Sequence, residues 1–258
     1  MATAAALIMK KGFTLIELLV SLVIVSILCA LSVAAVSAAR LAQSKAISAN
    51  TLHQLMIGGG CYLADNDNQF WPYADYLADG TQWWFGFETW GSVGAGEGNR
   101  TVDYDTGPLS GAMKSTSMLE DPSFLQYSPR LKPKFKNGNC GYGYNTDLAT
   151  DSNGNPRSSL QVEDASSMVV FATCAQVNTF QSPASASKPM IEEFYMINTT
   201  QTTVHFRHGG NVAFAAFLDG SVRPLSMAQD MEYGSQDSRM PKAHIGRLKS
   251  AYLKQSGW

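Results

Sequence analysis

The feature that most constrains this chain is an apolar run near its N-terminus that follows one acidic residue. Residues 18–39 carry no charge, and Glu17 directly precedes them. This uncharged run of 22 residues can cross a bilayer as a helix, which takes about 20 residues. A carboxylate in such a run costs about 2.5–3.5 kcal/mol at the helix centre and less near its edge. Glu17 therefore requires an explanation.

The rest of the composition excludes several classes of protein. The 258 residues are 45 % hydrophobic and 16 % charged, which argues against a disordered, collagen-like or coiled-coil chain. The formal net charge of −2 lacks the basic excess of a nucleic-acid-binding protein. We therefore expect a globular protein with one membrane-directed segment and no nucleic-acid partner.

Three interpretations compete for the N-terminal segment: a secretory signal peptide, an ordinary signal anchor and a prepilin leader. A signal peptide has a shorter apolar core of about 7–15 residues, although the small residues 36–38 offer a cleavage site. Neither a signal peptide nor a simple anchor gains anything from Glu17. The prepilin interpretation does explain it.

The residues around Glu17 resemble the cleavage site of type IV pilins and type II secretion pseudopilins. The match is the string KKGFTLIELLV at residues 10–20. The resemblance implies that prepilin peptidase cuts between Gly12 and Phe13 and methylates the new amine of Phe13. Glu17 then becomes the fifth mature residue, where it pairs with the amine of a neighbouring subunit, because an unpaired buried charge is very costly.

Charge also predicts the orientation of the chain in the membrane. Lys10 and Lys11 form the basic end of the leader, and the next charge is Arg40. Positive residues stay cytoplasmic, so we expect a single-pass bacterial inner-membrane protein with a cytoplasmic N-terminus and an exported head. The resemblance further implies as partners prepilin peptidase, other pilin-like subunits and an inner-membrane assembly platform.

The predicted fold class is α+β and pilin-like, with a long N-terminal helix packed on an antiparallel β-sheet head. The segments are a leader, a membrane and assembly helix, its exported continuation and a globular head, at residues 1–12, 13–39, 40–64 and 65–258. The three glycines at residues 58–60 predict the end of the helix, since each costs roughly 1 kcal/mol in a helix interior. The alternative is that residues 61–64 continue the same helix.

Strand patterns occupy the last third of the chain, whereas residues 100–160 are rich in turn formers and predict an irregular insertion. The predicted strands are residues 168–172, 194–197, 203–206, 212–218 and 222–225. Turns are expected at residues 208–211 and at Asp219 and Gly220, the second of type I′.

The two predicted turns belong to a C-terminal motif in which His208 is followed, after ten residues, by Asp219 and Gly220. It resembles a motif of pseudopilin-like proteins common in Planctomycetes, Verrucomicrobia and Lentisphaerae, which has nine intervening residues. A structural role is expected, with Asp219 bonding its own turn. The alternative is a hydrolytic His208–Asp219 pair, although no nucleophile has a setting such as Gly-x-Ser-x-Gly. We expect the protein to have no enzymatic activity.

No resident cofactor is predicted, and calcium is the alternative. Oxygen-rich strings include Asp65, Asp67, Asp147 and Asp151, and hard oxygen ligands suit Ca²⁺. Major pseudopilins, which this chain resembles, carry calcium in the head. None of these strings fits the twelve-residue calcium loop, and turn chemistry alone explains them.

Aromatic residues and cysteines leave further alternatives open. Trp71, Trp83, Trp84 and Trp90 form either the core between helix and loops or a sugar-binding platform. The exported cysteines are Cys61, Cys140 and Cys174, so at most one disulfide forms within the chain, with no pair chosen. The function predicted is a structural subunit of a type II secretion pseudopilus or type IV pilus-like filament. The alternative is a membrane-anchored exported carbohydrate-binding or hydrolytic protein.

Overall fold

The structure of the chain is a computed structural model. It describes residues 12–111, 121–127, 130–136, 140–209, 211–227 and 243–258. The chain divides into two compact units, Met1–Ala42 and Gln43–Trp258. Helix α1, Leu15–Asp65, begins in the first unit and ends in the second. Of the predicted leader, only Gly12 lies within the described residues.

The second half of α1 buries one face within the second unit. Ser48, Leu52, Leu55, Gly59 and Leu63 are buried, and their spacing of three or four residues places them on one side of the helix. This amphipathic half differs from the apolar half before it. The predicted helix beyond the apolar run is therefore present.

Helix α1 does not end at the three glycines but continues through them to Asp65, so the alternative, in which residues 61–64 continue the same helix, is confirmed. The physical reason is close packing at Gly59, where an added Cβ would lie only 2.7 Å from Cη2 of Trp71. Gly59 thus lets the helix approach the core closely, and this contact outweighs the low helix propensity of glycine. The helix instead ends in a turn where Asn68 N donates to Leu63 O at 2.8 Å.

Two neighbouring glycines of α1 give a matched prediction. We expect Gly59→Ala to destabilise the head by about 1–3 kcal/mol, because the methyl group overpacks against Trp71. Gly60→Ala should stabilise it by up to about 1 kcal/mol, since no atom lies within 4 Å of its added Cβ and alanine favours helix. Urea unfolding of both variants measures the difference. Equal effects at the two positions would contradict the packing role of Gly59.

The head consists of short strands and turns of 3₁₀ helix beside one short second helix. The strands are β1 Ala74–Tyr76, β2 Gly80–Trp83, β3 Gly86–Thr89, β4 Leu131–Lys132, β5 Tyr142–Asn145, β6 Val169–Thr173, β7 Gln176–Asn178, β8 Met190–Glu192, β9 Met196–Ile197, β10 Val204–His205, β11 Val212–Phe217, β12 Val222–Ser226 and β13 Ile245–Gly246. Helix α2 is Trp90–Gly94, and the 3₁₀ turns are Tyr104–Thr106, Pro122–Tyr127, Thr146–Leu148, Ser159–Gln161 and Ser250–Tyr252.

The largest sheet has the strand order β12-β11-β6-β5-β9. Its pairs are antiparallel except β5–β9, and β4–β8 in a three-stranded sheet is also parallel. The α+β class is therefore confirmed, with mixed rather than purely antiparallel sheets. Parallel pairing requires a long connection, and the chain between β5 and β9 includes three other strands.

Strand β5 corrects the prediction of an irregular insertion over residues 100–160. All four of its residues are buried, and it pairs with β6 and β9. The glycine that suggested a turn is required by packing, because a Cβ on Gly143 would lie 2.8 Å from Sγ of Cys174. Glycine within a strand can mark such a close approach.

Candidate functional site

Helix α1 begins with a capping box formed by Thr14 and Glu17. Thr14 Oγ1 accepts a hydrogen bond from Glu17 N at 3.2 Å, and Glu17 Oε2 accepts from Thr14 N and Oγ1, each at 2.8 Å. The pair satisfies two N–H groups that a helix leaves unpaired at its start. This cap was not predicted, although the Thr-x-x-Glu spacing signals it.

The second carboxylate oxygen of Glu17, Oε1, makes no hydrogen bond within the described part of the chain. The neighbouring Phe13 is 75 % exposed, and Gly12 is exposed as well. Lys10 and Lys11 lie outside the described residues. The start of α1 therefore presents an accessible peptide bond between Gly12 and Phe13 and a carboxylate oxygen open to a second partner.

The apolar half of α1 meets the requirements of a lipid environment. The helix is long and apolar enough to cross a membrane, and none of its most apolar stretch is buried. Its serine hydroxyls donate to carbonyl oxygens three or four residues earlier; the donors are Ser21, Ser26, Ser32 and Ser37. Within lipid, polar groups must find partners in the protein itself, and these hydroxyls do so along their own helix.

The family model of the prokaryotic N-terminal methylation motif matches residues 8–33. This match, together with the long apolar N-terminal helix, fits a prepilin-type, pilin-like protein. The matched segment contains the predicted cleavage position at Gly12, together with Glu17 and the first turns of α1. No curated protein and no solved structure matches the chain significantly.

The C-terminal motif starts with a tight turn between β10 and β11. His208 and Val212 exchange backbone hydrogen bonds of 3.2 and 3.3 Å, and Asn211 has a positive φ of 54°. Gly210 lies outside the described residues. The predicted turn is therefore present at this end of β11.

The turn at Asp219 and Gly220 joins β11 to β12, but it is not the predicted type I′. Gly220 N donates to Phe217 O at 2.9 Å, and Gly220 has a φ of 85°. Asp219 is not among the described residues with positive φ, whereas type I′ requires positive φ at both central positions. The Asp219 carboxylate accepts from Ser221 N and Oγ at 2.9 and 2.7 Å, so it orders its own turn.

The structure does not bring His208 and Asp219 together. They lie beyond opposite ends of the six-residue β11, which spans about 20 Å. The His208 ring is buried and packs edge-on against Phe214, with ring centroids 4.8 Å apart. Burial and the nearby charge of Arg207 lower the pKa of His208 to about 4. This arrangement gives the hydrolytic alternative no geometric support.

The residue before His208, Arg207, forms a fully buried ion pair with Asp121. Arg207 Nη2 lies 2.5 Å from Asp121 Oδ2, and the same oxygen accepts from Ser48 Oγ of α1 at 2.8 Å. The guanidinium also lies 4.5 Å from the ring centroid of Phe124. Burial raises the pKa of Asp121, but the charge of Arg207 and hydrogen bonds from Ser123 and Arg207 outweigh it and lower the pKa. The motif is thereby connected to α1.

A second group of charges, four buried and two half-buried, connects β3, β4 and β8 with the segment after α2. Its acidic members are Glu88, Glu97 and Glu192, and its basic members are Arg100, Lys132 and Lys134. Arg100 Nε and Nη2 donate hydrogen bonds to the two carboxylate oxygens of Glu88, at 2.7 and 2.6 Å. Among the ion pairs, only that of Glu97 and Arg100 joins residues at a short spacing, of three residues. The other contacts join distant segments, so this group was not predicted from the sequence.

Glu193 lies beside this group, in which three acidic and three basic side chains balance in charge, and it adds a further carboxyl group. Its Oε1 accepts from the backbone N–H groups of Lys134 and Phe135 at 2.7 and 3.1 Å. Its Oε2 is buried and has no hydrogen-bond partner among the described residues. Burial raises the pKa of Glu193 to about 7, against the effect of the two amides and of the Lys134 charge.

Because of this raised pKa, we expect the difference in free energy of unfolding between the wild type and Glu193→Gln to depend on pH. Glutamine keeps an oxygen that can accept from the two backbone N–H groups, but it cannot ionise. The folded state holds the proton up to about pH 7, whereas the unfolded chain loses it near 4.5. The protonated Glu193 therefore contributes to the stability of the wild type below pH 4.5. As the pH rises to 7 this contribution is lost, which lowers the free energy of unfolding by about 3 kcal/mol. The free energy of unfolding of the variant relative to wild type should rise by that amount over this range. A difference independent of pH would contradict it.

The candidate calcium ligands do not come together. Asp65 and Asp67 lie at the end of α1, Asp147 accepts from Thr199 N at 2.7 Å, and Asp151 accepts backbone N–H groups of its own turn. Within the described residues, no three acidic, histidine or cysteine side chains form a group suited to a metal ion. Calcium binding stays an untested alternative without a located site.

The tryptophans divide between core and surface. Trp71 and Trp84 have no exposed surface, and both pack against Phe171, with ring centroids 5.6 and 5.2 Å away. Trp83 is half-buried, whereas Trp90 is 45 % exposed. The core interpretation is therefore confirmed for Trp71 and Trp84, and the alternative of a sugar-binding platform has no support at these two buried residues.

All four cysteines are unpaired. Cys29 and Cys61 are exposed, and Cys140 and Cys174 are buried. Burial raises the pKa of both buried thiols, which keeps them protonated and unreactive. None of the four cysteines forms the single disulfide that the sequence allowed.

Proposed function

We propose that the chain is a structural subunit of a type II secretion pseudopilus or a type IV pilus-like filament. The observation that carries this proposal is the N-terminal methylation motif on an apolar helix that no described residue covers. Such a surface requires lipid before assembly and neighbouring helices afterwards. Known proteins with this motif are structural subunits, and we propose no enzymatic activity and no resident cofactor.

Processing and assembly then use adjacent residues at the start of α1. Prepilin peptidase cleaves between Gly12 and Phe13 and methylates the amine of Phe13, while Lys10 and Lys11 hold the leader on the cytoplasmic side of the inner membrane. Glu17 caps its own helix through Oε2 and offers Oε1 to the amine of a neighbouring subunit. That pairing removes the cost of two unpaired charges in the filament interior.

The experiment that tests assembly is expression of the full chain with prepilin peptidase and an inner-membrane assembly platform. We expect sheared filaments that contain the chain, detected by immuno-electron microscopy and by sedimentation. Omission of the platform is the control and should leave the chain in the membrane fraction. A processed chain that stays monomeric when the complete machinery is present would contradict the proposal.

A further inference from the structure

A cavity of about 300 Å³ lies where the end of α1 meets the loop before β1 and the turn at residues 150–156. Its volume lies at the lower end of the range for small-molecule sites. The polar side chains that line it are Tyr62, Asn66, Gln69, Asp75 and Thr150, and the buried Phe70 contributes to its apolar wall. None of these residues belongs to the assembly segment.

The polar groups of this cavity are not used by the fold. The Tyr62 hydroxyl, the Gln69 amide, the Asp75 carboxylate and the Thr150 hydroxyl make no hydrogen bond within the described part of the chain. Asn66 Nδ2 donates to Tyr62 O at 2.9 Å, and the side-chain carbonyl oxygen of Asn66 accepts no hydrogen bond from a described residue. Several donors and acceptors therefore surround one concave space, the arrangement that fixes a polar ligand.

The walls of the cavity are held in place by hydrogen bonds to other segments. Phe70 N donates to Arg157 O at 2.9 Å, and Ser159 N donates to Asn68 O at 2.8 Å. The opposite turn is ordered by Asp151, which accepts backbone N–H groups and also donates its own to Asn155 O at 2.8 Å. A preformed site loses less entropy when a ligand binds.

Charge and chemistry restrict the ligand. Asp75 is the single charged residue of the lining, and no lining residue is basic. The C-terminal end of α1 adds negative potential, so phosphates and carboxylates are repelled. A simple cation would bind Asp75 and the side-chain carbonyl oxygens of Asn66 and Gln69, but it would leave the amide N–H and tyrosine O–H donors without a partner. Adjacent hydroxyls of a sugar, in contrast, both donate to a carboxylate or amide oxygen and accept from amide and hydroxyl donors.

We propose that this cavity binds one unit of a neutral carbohydrate. The apolar wall at Phe70 faces the C–H groups of the sugar ring, while Gln69, Asp75 and Thr150 bind its hydroxyls. The site is independent of the tryptophans, and binding does not depend on filament assembly.

The test is saturation-transfer difference NMR with the full chain in phospholipid nanodiscs, since glycoside detergents would compete for the site. The probes are glucose, galactose, mannose and N-acetylglucosamine, as free sugars and as short oligosaccharides. We expect at least one sugar to bind and Tyr62→Phe and Gln69→Ala each to weaken its affinity roughly fivefold, the effect of one lost hydrogen bond. Tyr62→Phe keeps the ring that packs 5.8 Å from Trp71, so the fold is retained.

Two control variants locate the site. Tyr76→Phe makes the same chemical change on a tyrosine that is 74 % exposed and does not line the cavity, and Trp90→Ala removes the exposed indole. Both should bind the sugar like wild type. Two results would overturn the proposal: no sugar binds, or affinity is unchanged in both cavity variants.

Discussion

Replacing Arg207 with alanine is expected to lower the free energy of unfolding of the head by about 3–5 kcal/mol. The substitution leaves the carboxylate of Asp121, which is 1 % exposed, without its positive partner. Urea unfolding followed by tryptophan fluorescence measures the loss. All five tryptophans lie after residue 70, so the signal reports on the head and not on the apolar half of α1.

Two comparisons make this expectation specific to the buried pair. Arg40→Ala removes an exposed arginine and should change stability by no more than about 0.5 kcal/mol. The double variant Asp121→Asn/Arg207→Met should be more stable than Arg207→Ala, because it leaves no unpaired charge. A loss below 1 kcal/mol for Arg207→Ala would contradict the role of the pair in connecting the C-terminal motif to α1.

The second large effect is expected for the charge of Glu17. In Glu17→Gln the carboxylate becomes an amide that still caps Thr14, because glutamine also serves in a capping box. We expect this variant to be inserted and processed like wild type but to form filaments at less than a tenth of the wild-type amount. The unpaired amine of Phe13 would be buried in the filament without a partner.

Glu17→Ala separates the two roles of this side chain. It removes the charge and also the cap, which contributes about 1 kcal/mol to the start of the helix. If only the charge matters, both variants lose assembly equally; if the cap contributes as well, the alanine variant is also cleaved less efficiently. Wild-type amounts of filament from Glu17→Gln would contradict the proposed pairing. The measurement is filament mass in the sheared fraction, normalised to processed subunit.

What the sequence predicts well are features carried by consecutive residues. The apolar run, Glu17 and the basic pair before Gly12 lie within about thirty positions, so their chemistry can be interpreted without a fold. The strands β6 and β11 are similarly local, as contiguous apolar runs bounded by turns. The turn after His208 is likewise predicted from a short local run that contains two glycines.

What the sequence predicts poorly depends on contacts between distant residues. Gly59 and Gly143 resemble breakers until Trp71 and Cys174 are seen packed against them. The Arg207–Asp121 pair joins residues 86 positions apart, and no local pattern announces it. The same holds for the cavity beside Tyr62, which is assembled from the end of α1, β1 and a later turn.

The measurement that most directly tests the account is the intact mass of the chain after co-expression with prepilin peptidase. The account predicts the loss of residues 1–12 and the gain of one methyl group on Phe13. Expression without the peptidase should give the uncleaved chain. An intact N-terminus in the presence of active peptidase, or cleavage after Ala38 as a signal peptide would give, would contradict it.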